Sequence, residues 1–160
     1  MTLYRSTMQS PLGTLTVVAS DVGLRAVLWP DDDPKRVRIA DPVDADHPVV
    51  DAAERQLDEY FEGERETFEL PLDLVGTELQ VKVWRSLADI AYGTTTTYGE
   101  QAKLLGRPTA SRAVGGAIGR NPVSIVLPCH RVVGADGSLT GFAGGTDAKR
   151  WLLDHERRTT

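Results

Sequence analysis

The property that most limits what this chain can fold into is an abrupt change of character at Gly76. Residues 3–28 and 68–74 read as short β-strands separated by turn signals, and residues 49–61 carry apolar side chains at the helical period. Beyond Gly76 the apolar spacing is mostly helical. We therefore predict an α/β (α+β) protein of two small domains. Residues 1–75 would form a small antiparallel sheet with one helix, and residues 76–160 a mainly helical domain.

The second half is predicted to contain a helix-turn-helix. Thr77 is placed to cap a helix that runs to about residue 91, and two shorter helices, 97–105 and 110–119, flank a turn. The last helix holds three glycines, each costing about 1 kcal/mol relative to alanine. Its only charge is Arg112. Such a smooth helix either packs tightly inside the fold or presses against a nucleic-acid backbone.

Charge is divided unevenly along the chain. The net charge is −5, yet residues 1–75 hold 7 Lys+Arg against 16 Asp+Glu, whereas residues 76–160 hold 11 against 7. A basic second half is what a chain shows when only that half faces phosphates. Solvated faces alone also produce such an imbalance, so charge supports DNA binding without deciding it.

The composition of the chain limits where the protein is expected to reside and which cofactors it is expected to hold. There is no run of about 18 apolar residues and no signal-peptide pattern at the N-terminus, so we expect no membrane span and a cytoplasmic location. One cysteine cannot form an internal disulfide, which fits a reducing compartment. With that cysteine and three scattered histidines (His47, His130 and His155), we expect no metal and no cofactor.

The chemical centre is the stretch Val126-Leu127-Pro128-Cys129-His130-Arg131. A strand-like apolar run, residues 123–127, is followed by Cys129 at a bend that Pro128 makes rigid. A thiolate is the strongest nucleophile this chain offers, and the neighbouring histidine can take its proton if a carboxylate holds the far ring nitrogen. A lone intracellular cysteine is more often a small buried hydrophobe. The Cys-His dipeptide alone leaves both interpretations open.

Several motifs, in order, resemble those of the O6-alkylguanine-DNA alkyltransferases (methylated-DNA–protein-cysteine methyltransferases). Residues 121–134 resemble the active-site signature of that family, and residues 137–145 resemble its substrate-pocket loop. Ser111-Arg112-Ala113-Val114-Gly115 resembles the recognition helix, and Leu152-Leu153-Asp154-His155-Glu156 the C-terminal helix. The resemblance covers residues 76–157 closely. It covers the first half in outline, for which it implies a ribonuclease-H-like domain.

The resemblance implies direct-reversal DNA repair by irreversible, single-turnover alkyl transfer. An alkyl group, typically methyl, would leave O6 of guanine in double-stranded DNA for Cys129 after the nucleotide is flipped out; O4-alkylthymine stays open as a further substrate. His130 would take the thiol proton through a water, with Glu156 holding the imidazole. Tyr98 would donate its hydroxyl to the guanine ring, and Arg112 would fill the vacated place in the stack.

The resemblance also implies the remaining site residues. Asn121 would brace the helix-turn-helix against the active-site loop. The implied catalytic residues are Cys129, His130, Glu156, Tyr98 and Asn121; the substrate-binding residues are Val132, Ala143, Phe142, Pro122 and Gly144; and the DNA-binding residues are Arg112, Ser111, Ala113, Gly115 and Thr95. A monomer is expected, with cooperation between molecules on DNA left open.

Three positions depart from the family pattern. Phe142 stands where many members carry tyrosine, which predicts a shifted alkyl-group preference. Leu79 stands where phenylalanine is frequent and Ala91 where proline is frequent, which are core or loop adjustments. On the residues alone, three other functions stay open: a DNA-binding sensor or regulator without transfer, a cysteine hydrolase, and a purely structural protein. Stoichiometric inactivation separates the transferase from the hydrolase.

Overall fold

The computed structural model describes residues 1–139 and 141–160; Thr140, in the predicted pocket loop, lies outside the described residues. The elements in chain order are β1 (Tyr4–Ser10), β2 (Gly13–Ala19), β3 (Leu24–Leu28), β4 (Val43–Asp44), α1 (Pro48–Phe61), α2 (Glu78–Ser86), β5 (Thr96–Thr97), α3 (Tyr98–Leu104), α4 (Ser111–Gly119), β6 (Val132–Val133) and α5 (Thr146–Arg158). Single-turn 3-10 helices occur at Leu87–Asp89 and Cys129–Arg131. The chain forms two compact units, Met1–Val75 with Pro122–Val126, and Gly76–Asn121 with Leu127–Thr160.

The first unit is a four-stranded sheet covered by one helix. The strand order is β3-β2-β1-β4, in which β1 and β3 pair antiparallel to β2, and the two-residue β4 pairs parallel to β1. Alternation in β2 buries Leu15 and Val17, as expected for a sheet with one apolar face. Helix α1 packs on β1, β2 and β3 and contributes Leu57 and Tyr60 to the core, both fully buried.

The segment Pro122–Val126 lies against the outer edge of that sheet. Val27 N donates to Pro122 O (2.9 Å), and Val123 forms a parallel bridge with Val27. The indole Nε1 of Trp29 donates to Ser124 Oγ (3.2 Å) in a buried hydrogen bond. The chain then turns at Ile125, which has φ +72°. A β-branched residue is strained in this left-handed region, so the surrounding pairing must hold it there.

The second unit is mainly helical, and the expected α/β class is confirmed. Thr77 caps α2 with its hydroxyl and Gln80 returns a hydrogen bond, a complete capping box. Helices α3 and α4 pack together as the helix-turn-helix, and Gly106 in the turn has φ +71°. The indole of Trp84 on α2 donates to the carbonyl of Ala117 on α4 (2.7 Å). This bond fixes α4 from its buried side.

Three local predictions are wrong. Residues 68–74 form no strand, only a bridge between Leu72 and Leu24, since Pro71 in that run has no N–H to donate. Residues 123–127 are a bridge followed by the turn at Ile125, instead of a continuous strand. Helix α2 ends at Ser86 instead of near residue 91, and a 3-10 turn follows. Across the described residues, no helix has the length and apolar character needed to cross a bilayer.

Candidate active site

The single cysteine stands at the start of the Cys129–Arg131 turn. Its N–H donates to Leu127 O (2.8 Å), so Pro128 sits inside a tight bend, and the residue is 5% exposed. Directly after the turn, Val132–Val133 forms β6 and pairs parallel with β5 (Thr96–Thr97). The backbone of Cys129 is thereby held between a tight bend before it and a short sheet after it.

His130 and Glu156 meet in a fully buried contact. The ring Nε2 of His130 lies 2.6 Å from Glu156 Oε2, and both side chains are essentially without solvent exposure. An ionised carboxylate only accepts hydrogen bonds, so Nε2 carries the ring proton and Nδ1 keeps its lone pair. Nδ1 is buried and has no hydrogen-bond partner among the described residues. The ring therefore presents an open proton acceptor.

The electrostatics of this pair favour a neutral ring and an ionised acid. Burial lowers the pKa of His130 below its ordinary value, against the pull of Glu156, and the charges of Arg131 and Lys149 lower it further. Burial alone would raise the pKa of Glu156, but hydrogen bonds from His130 and Arg131 outweigh it and hold that pKa well below the ordinary range. At neutral pH the arrangement is suited to accept one proton.

Asn121 connects the end of α4 to the bend before the cysteine. The side chain is completely buried, and Nδ2 donates to Leu127 O (2.8 Å). The same carbonyl accepts from Cys129 N. The amide of Asn121 and the backbone N–H of Cys129 thus share one acceptor; the bracing role expected for Asn121 stays a prediction.

Tyr98 is the first residue of α3, directly after the capping residue Thr97. Its half-buried ring lies over Gly115 of α4, where an added Cβ would meet Tyr98 Cδ1 at 3.4 Å. Burial, followed by the negative charge of a Cys129 thiolate, raises the pKa of Tyr98. The hydroxyl therefore stays protonated near neutrality and is available as a donor.

The reasoning from sequence missed Lys149. This lysine is 1% exposed, and its Nζ donates to Val132 O (2.6 Å). It also lies 5.8 Å from the ring centroids of both Tyr98 and Phe142. Burial lowers the pKa of Lys149, and the Cys129 thiolate opposes that shift. Its position two helical turns before Glu156 on α5 was the available signal.

The expected DNA-binding residues lie mostly on the surface. Ser111, Arg112 and Ala113 are exposed at the start of α4, Thr95 is exposed before β5, and Gly115 is half-buried. The exposed face of α4 comprises Ser111, Arg112, Ala113 and Gly116, and the exposed Arg120 directly follows the helix. A Cβ built on Gly116 would have nothing within 4 Å. Between Arg112 and Arg120, this face therefore carries only small side chains.

The expected pocket residues belong to both compact units. Val132 is buried, and Phe142, Ala143 and Gly144 are half-buried in the second unit, whereas Pro122 belongs to the first. Their contact with a substrate stays a prediction. No cluster of three or more His, Cys, Asp or Glu side chains suited to a metal ion occurs among the described residues.

Comparison with known proteins matches both halves of the chain. Residues 3–74 match the family description "6-O-methylguanine DNA methyltransferase, ribonuclease-like domain", and residues 78–158 match "6-O-methylguanine DNA methyltransferase, DNA binding domain". The methylated-DNA–protein-cysteine methyltransferase of Methanosarcina acetivorans is 44% identical over 154 residues, covering 96% of this chain and 98% of that protein. The Mycolicibacterium paratuberculosis protein of the same name is 46% identical over 157 residues, covering 97% and 92%.

Comparison with solved structures finds the same kind of protein. The crystal structure of Mycobacterium tuberculosis OGT in complex with DNA has a TM-score of 0.88 at 39% identity, covering 100% of this chain and 95% of that one. The O6-methylguanine-DNA methyltransferase of Pyrococcus kodakaraensis, at 22% identity and TM-score 0.56, shares the fold.

A buried cysteine beside a His-Glu pair, on a unit built around a helix-turn-helix, defines a cysteine transferase that acts on DNA. The family expected from the motifs is confirmed. This chain belongs to the 6-O-methylguanine DNA methyltransferase family.

Proposed function

We propose that this protein repairs O6-alkylguanine in double-stranded DNA by transferring the alkyl group to Cys129, once per molecule. The observation that carries the proposal is the open Nδ1 of His130, whose Nε2 is held by Glu156, on the residue that follows the single cysteine in the sequence. A base fixed in that tautomer supports a nucleophilic thiol. The family membership and the DNA complex of the M. tuberculosis relative support duplex DNA as the partner.

The reaction exchanges one bond for another without a cofactor. The thiol proton passes to Nδ1 of His130, by way of a water, and Sγ of Cys129 attacks the alkyl carbon. The C–O6 bond breaks and its electron pair goes to guanine. The guanine base then takes up one proton, which balances the thiol proton given to His130. Tyr98 assists as a donor while negative charge develops on the base. The net change is a thioether on the protein and an intact guanine in the DNA.

Access to a stacked base requires that the nucleotide leave the duplex. The exposed face of α4, with Arg112 near its start, is suited to that step: the smooth face approaches the groove and the guanidinium takes the vacated place. Contacts to phosphates would then make binding tolerant of sequence and sensitive to salt. A nucleophile that must stay reduced fits the cytoplasm.

The experiment is to measure the intact mass of the protein after incubation with a duplex carrying one O6-methylguanine. We expect a gain of about 14 Da on Cys129, the mass of one added methylene unit in a thioether, with restored guanine at a one-to-one limit. The Cys129→Ser variant is the control, since it should bind the same duplex without gaining mass. Turnover beyond one equivalent, or tight binding of the lesion with unchanged mass, would contradict the proposal.

A further inference from the structure

Arg131 closes the far side of the His130–Glu156 pair. Its Nε donates to Glu156 Oε1 (2.8 Å) and its Nη2 donates to Oε2 (3.0 Å). The remaining nitrogen, Nη1, donates to Ile90 O (2.6 Å), and the guanidinium lies 5.4 Å from the ring centroid of Tyr92. The residue is 5% exposed. Arg131 is therefore fixed in a bidentate pair, the arrangement for which arginine is better suited than lysine.

Glu156 is fully engaged as an acceptor. Each oxygen receives one hydrogen bond from Arg131. In addition, Oε2 accepts from His130 Nε2 (2.6 Å) and Oε1 accepts from Gly93 N (3.2 Å). Of these four hydrogen bonds, the two from the guanidinium come from the group that carries a permanent charge. Its negative charge is balanced whether or not the imidazole is protonated.

That balance acts together with burial to set the charge of the imidazole. If Glu156 faced His130 alone, a buried carboxylate would stabilise the imidazolium strongly, since opposite charges attract most where water is excluded. With Arg131 in place, a proton on His130 adds a net positive charge to a buried cluster. The charged groups that act on the ring are Glu156 and Lys149 from α5 and Arg131 from its own turn. Two cations thus oppose one anion.

We propose that Arg131 is a positioning residue of this site, which keeps His130 neutral by pairing with both oxygens of Glu156, so that Nδ1 remains able to accept the thiol proton. This inference rests on the proposed function, because it needs His130 as the proton acceptor. The adjacent arginine, in this interpretation, is what makes a buried His-Glu pair a usable base instead of a permanent ion pair.

The test is the titration of His130 in Arg131→Gln, which keeps hydrogen-bond donors and removes the charge. The ring signal of His130 is followed by NMR against pH and identified with His130→Asn. We expect the wild-type pKa of His130 below the ordinary value and the pKa in R131Q raised above that of the wild type. The acid limb of the methyl-transfer rate should move upward by the same amount. Below that limb the rate should fall by about tenfold per pH unit, because one proton is involved.

Two controls separate charge balance from general loss of structure. In the double variant R131Q/E156Q both charges are absent, so the pKa of His130 should fall back below its value in R131Q. Trp84→Phe removes a buried hydrogen bond elsewhere in the same unit, and it should lower stability without moving the acid limb. If R131Q does not fold, E156Q and R131Q/E156Q give the same comparison, since loss of the guanidinium must again raise the pKa of His130.

The outcomes distinguish this inference from the proposed function. An unchanged pKa of His130 in R131Q overturns the inference, whether or not transfer is impaired. If the pKa rises while the acid limb of the rate stays in place, the charge-balancing effect of Arg131 stands, but the role of His130 as proton acceptor is refuted. A shift of both in parallel supports the two together.

Discussion

The glycines of α4 lead to a prediction in which stability and DNA binding change in opposite directions. Gly116 lies on the exposed face, and a Cβ there meets nothing within 4 Å. Gly116→Ala should therefore gain the full difference in helix propensity, about 1 kcal/mol, and raise Tm by about 2–4 °C for a chain of this size. At Gly115 the added Cβ would lie in van der Waals contact with the Tyr98 ring, 3.4 Å from Cδ1. Gly115→Ala should therefore gain no more stability than Gly116→Ala.

DNA affinity should fall as the side chain at position 116 becomes larger. Leucine and alanine have similar helix propensities, so Gly116→Leu should match Gly116→Ala in stability while adding three more side-chain carbons. If this face approaches the duplex, Gly116→Leu should bind about tenfold more weakly than Gly116→Ala, equivalent to about 1.4 kcal/mol.

The assay pairs thermal unfolding with fluorescence anisotropy on a duplex that contains O6-methylguanine. The Cys129→Ser background prevents reaction during binding, and every titration uses one salt concentration, because phosphate contacts are salt-sensitive. Equal affinities of the Gly116→Leu and Gly116→Ala variants would refute the approach of this face to DNA. No gain in Tm in Gly116→Ala would refute the assignment of Gly116 as an unhindered helical glycine.

Three further predictions follow from the site. Arg112→Ala should slow repair in duplex DNA more than reaction with a free O6-alkylguanine base, and equal losses in the two rate measurements would remove its stacking role. Lys149→Met should leave Tm within a few degrees yet slow alkylation by about tenfold, because the thiolate loses a nearby cation; an unchanged rate would exclude that contribution. The free energy of unfolding, from urea midpoints at pH 7.5, 5.5 and 3.5, should fall as the pH is lowered. Because the folded pKa of His130 lies below its ordinary 6.5, the unfolded chain takes up the proton first, and stability is lost from pH 6.5 downward by at most about 1.4 kcal/mol per pH unit. Glu156, with a lowered pKa, loses its own contribution only below its ordinary 4.5. His130→Asn should remove the first slope and keep the second.

Sequence was most informative where local rules act alone. The helical period located α1, and Thr77 as a capping residue located the start of α2. Prediction from sequence failed where contacts with residues distant in the chain determine the backbone conformation. Residues 68–74 alternate like a strand, but Pro71 interrupts the donors that a ladder requires. Ile125 lies in an apolar run yet adopts φ +72°, which no local preference of isoleucine favours.

The site, too, has residues that the local sequence predicted and residues whose role depends on the assembled fold. The motif around Cys129 and His130, together with its resemblance to the family, identified the reactive stretch. Arg131 and Lys149 were overlooked because each reads as an ordinary surface cation in the sequence. Their importance comes from being buried, one against both oxygens of Glu156 and the other against Val132 O. Burial of a charge is a property of the assembled fold.

The placement of Pro122–Val126 in the first compact unit has a consequence for how this gene can be divided. Asn121 and Leu127, which flank that segment, belong to the second unit. A fragment starting at residue 76 would keep every helix of the second unit, yet Pro122–Val126 would lose its pairing with Val27 and the indole bond at Ser124. Recombination or truncation at Gly76 would therefore separate Pro122–Val126 from the strand with which it pairs, although the sequence changes character at that glycine.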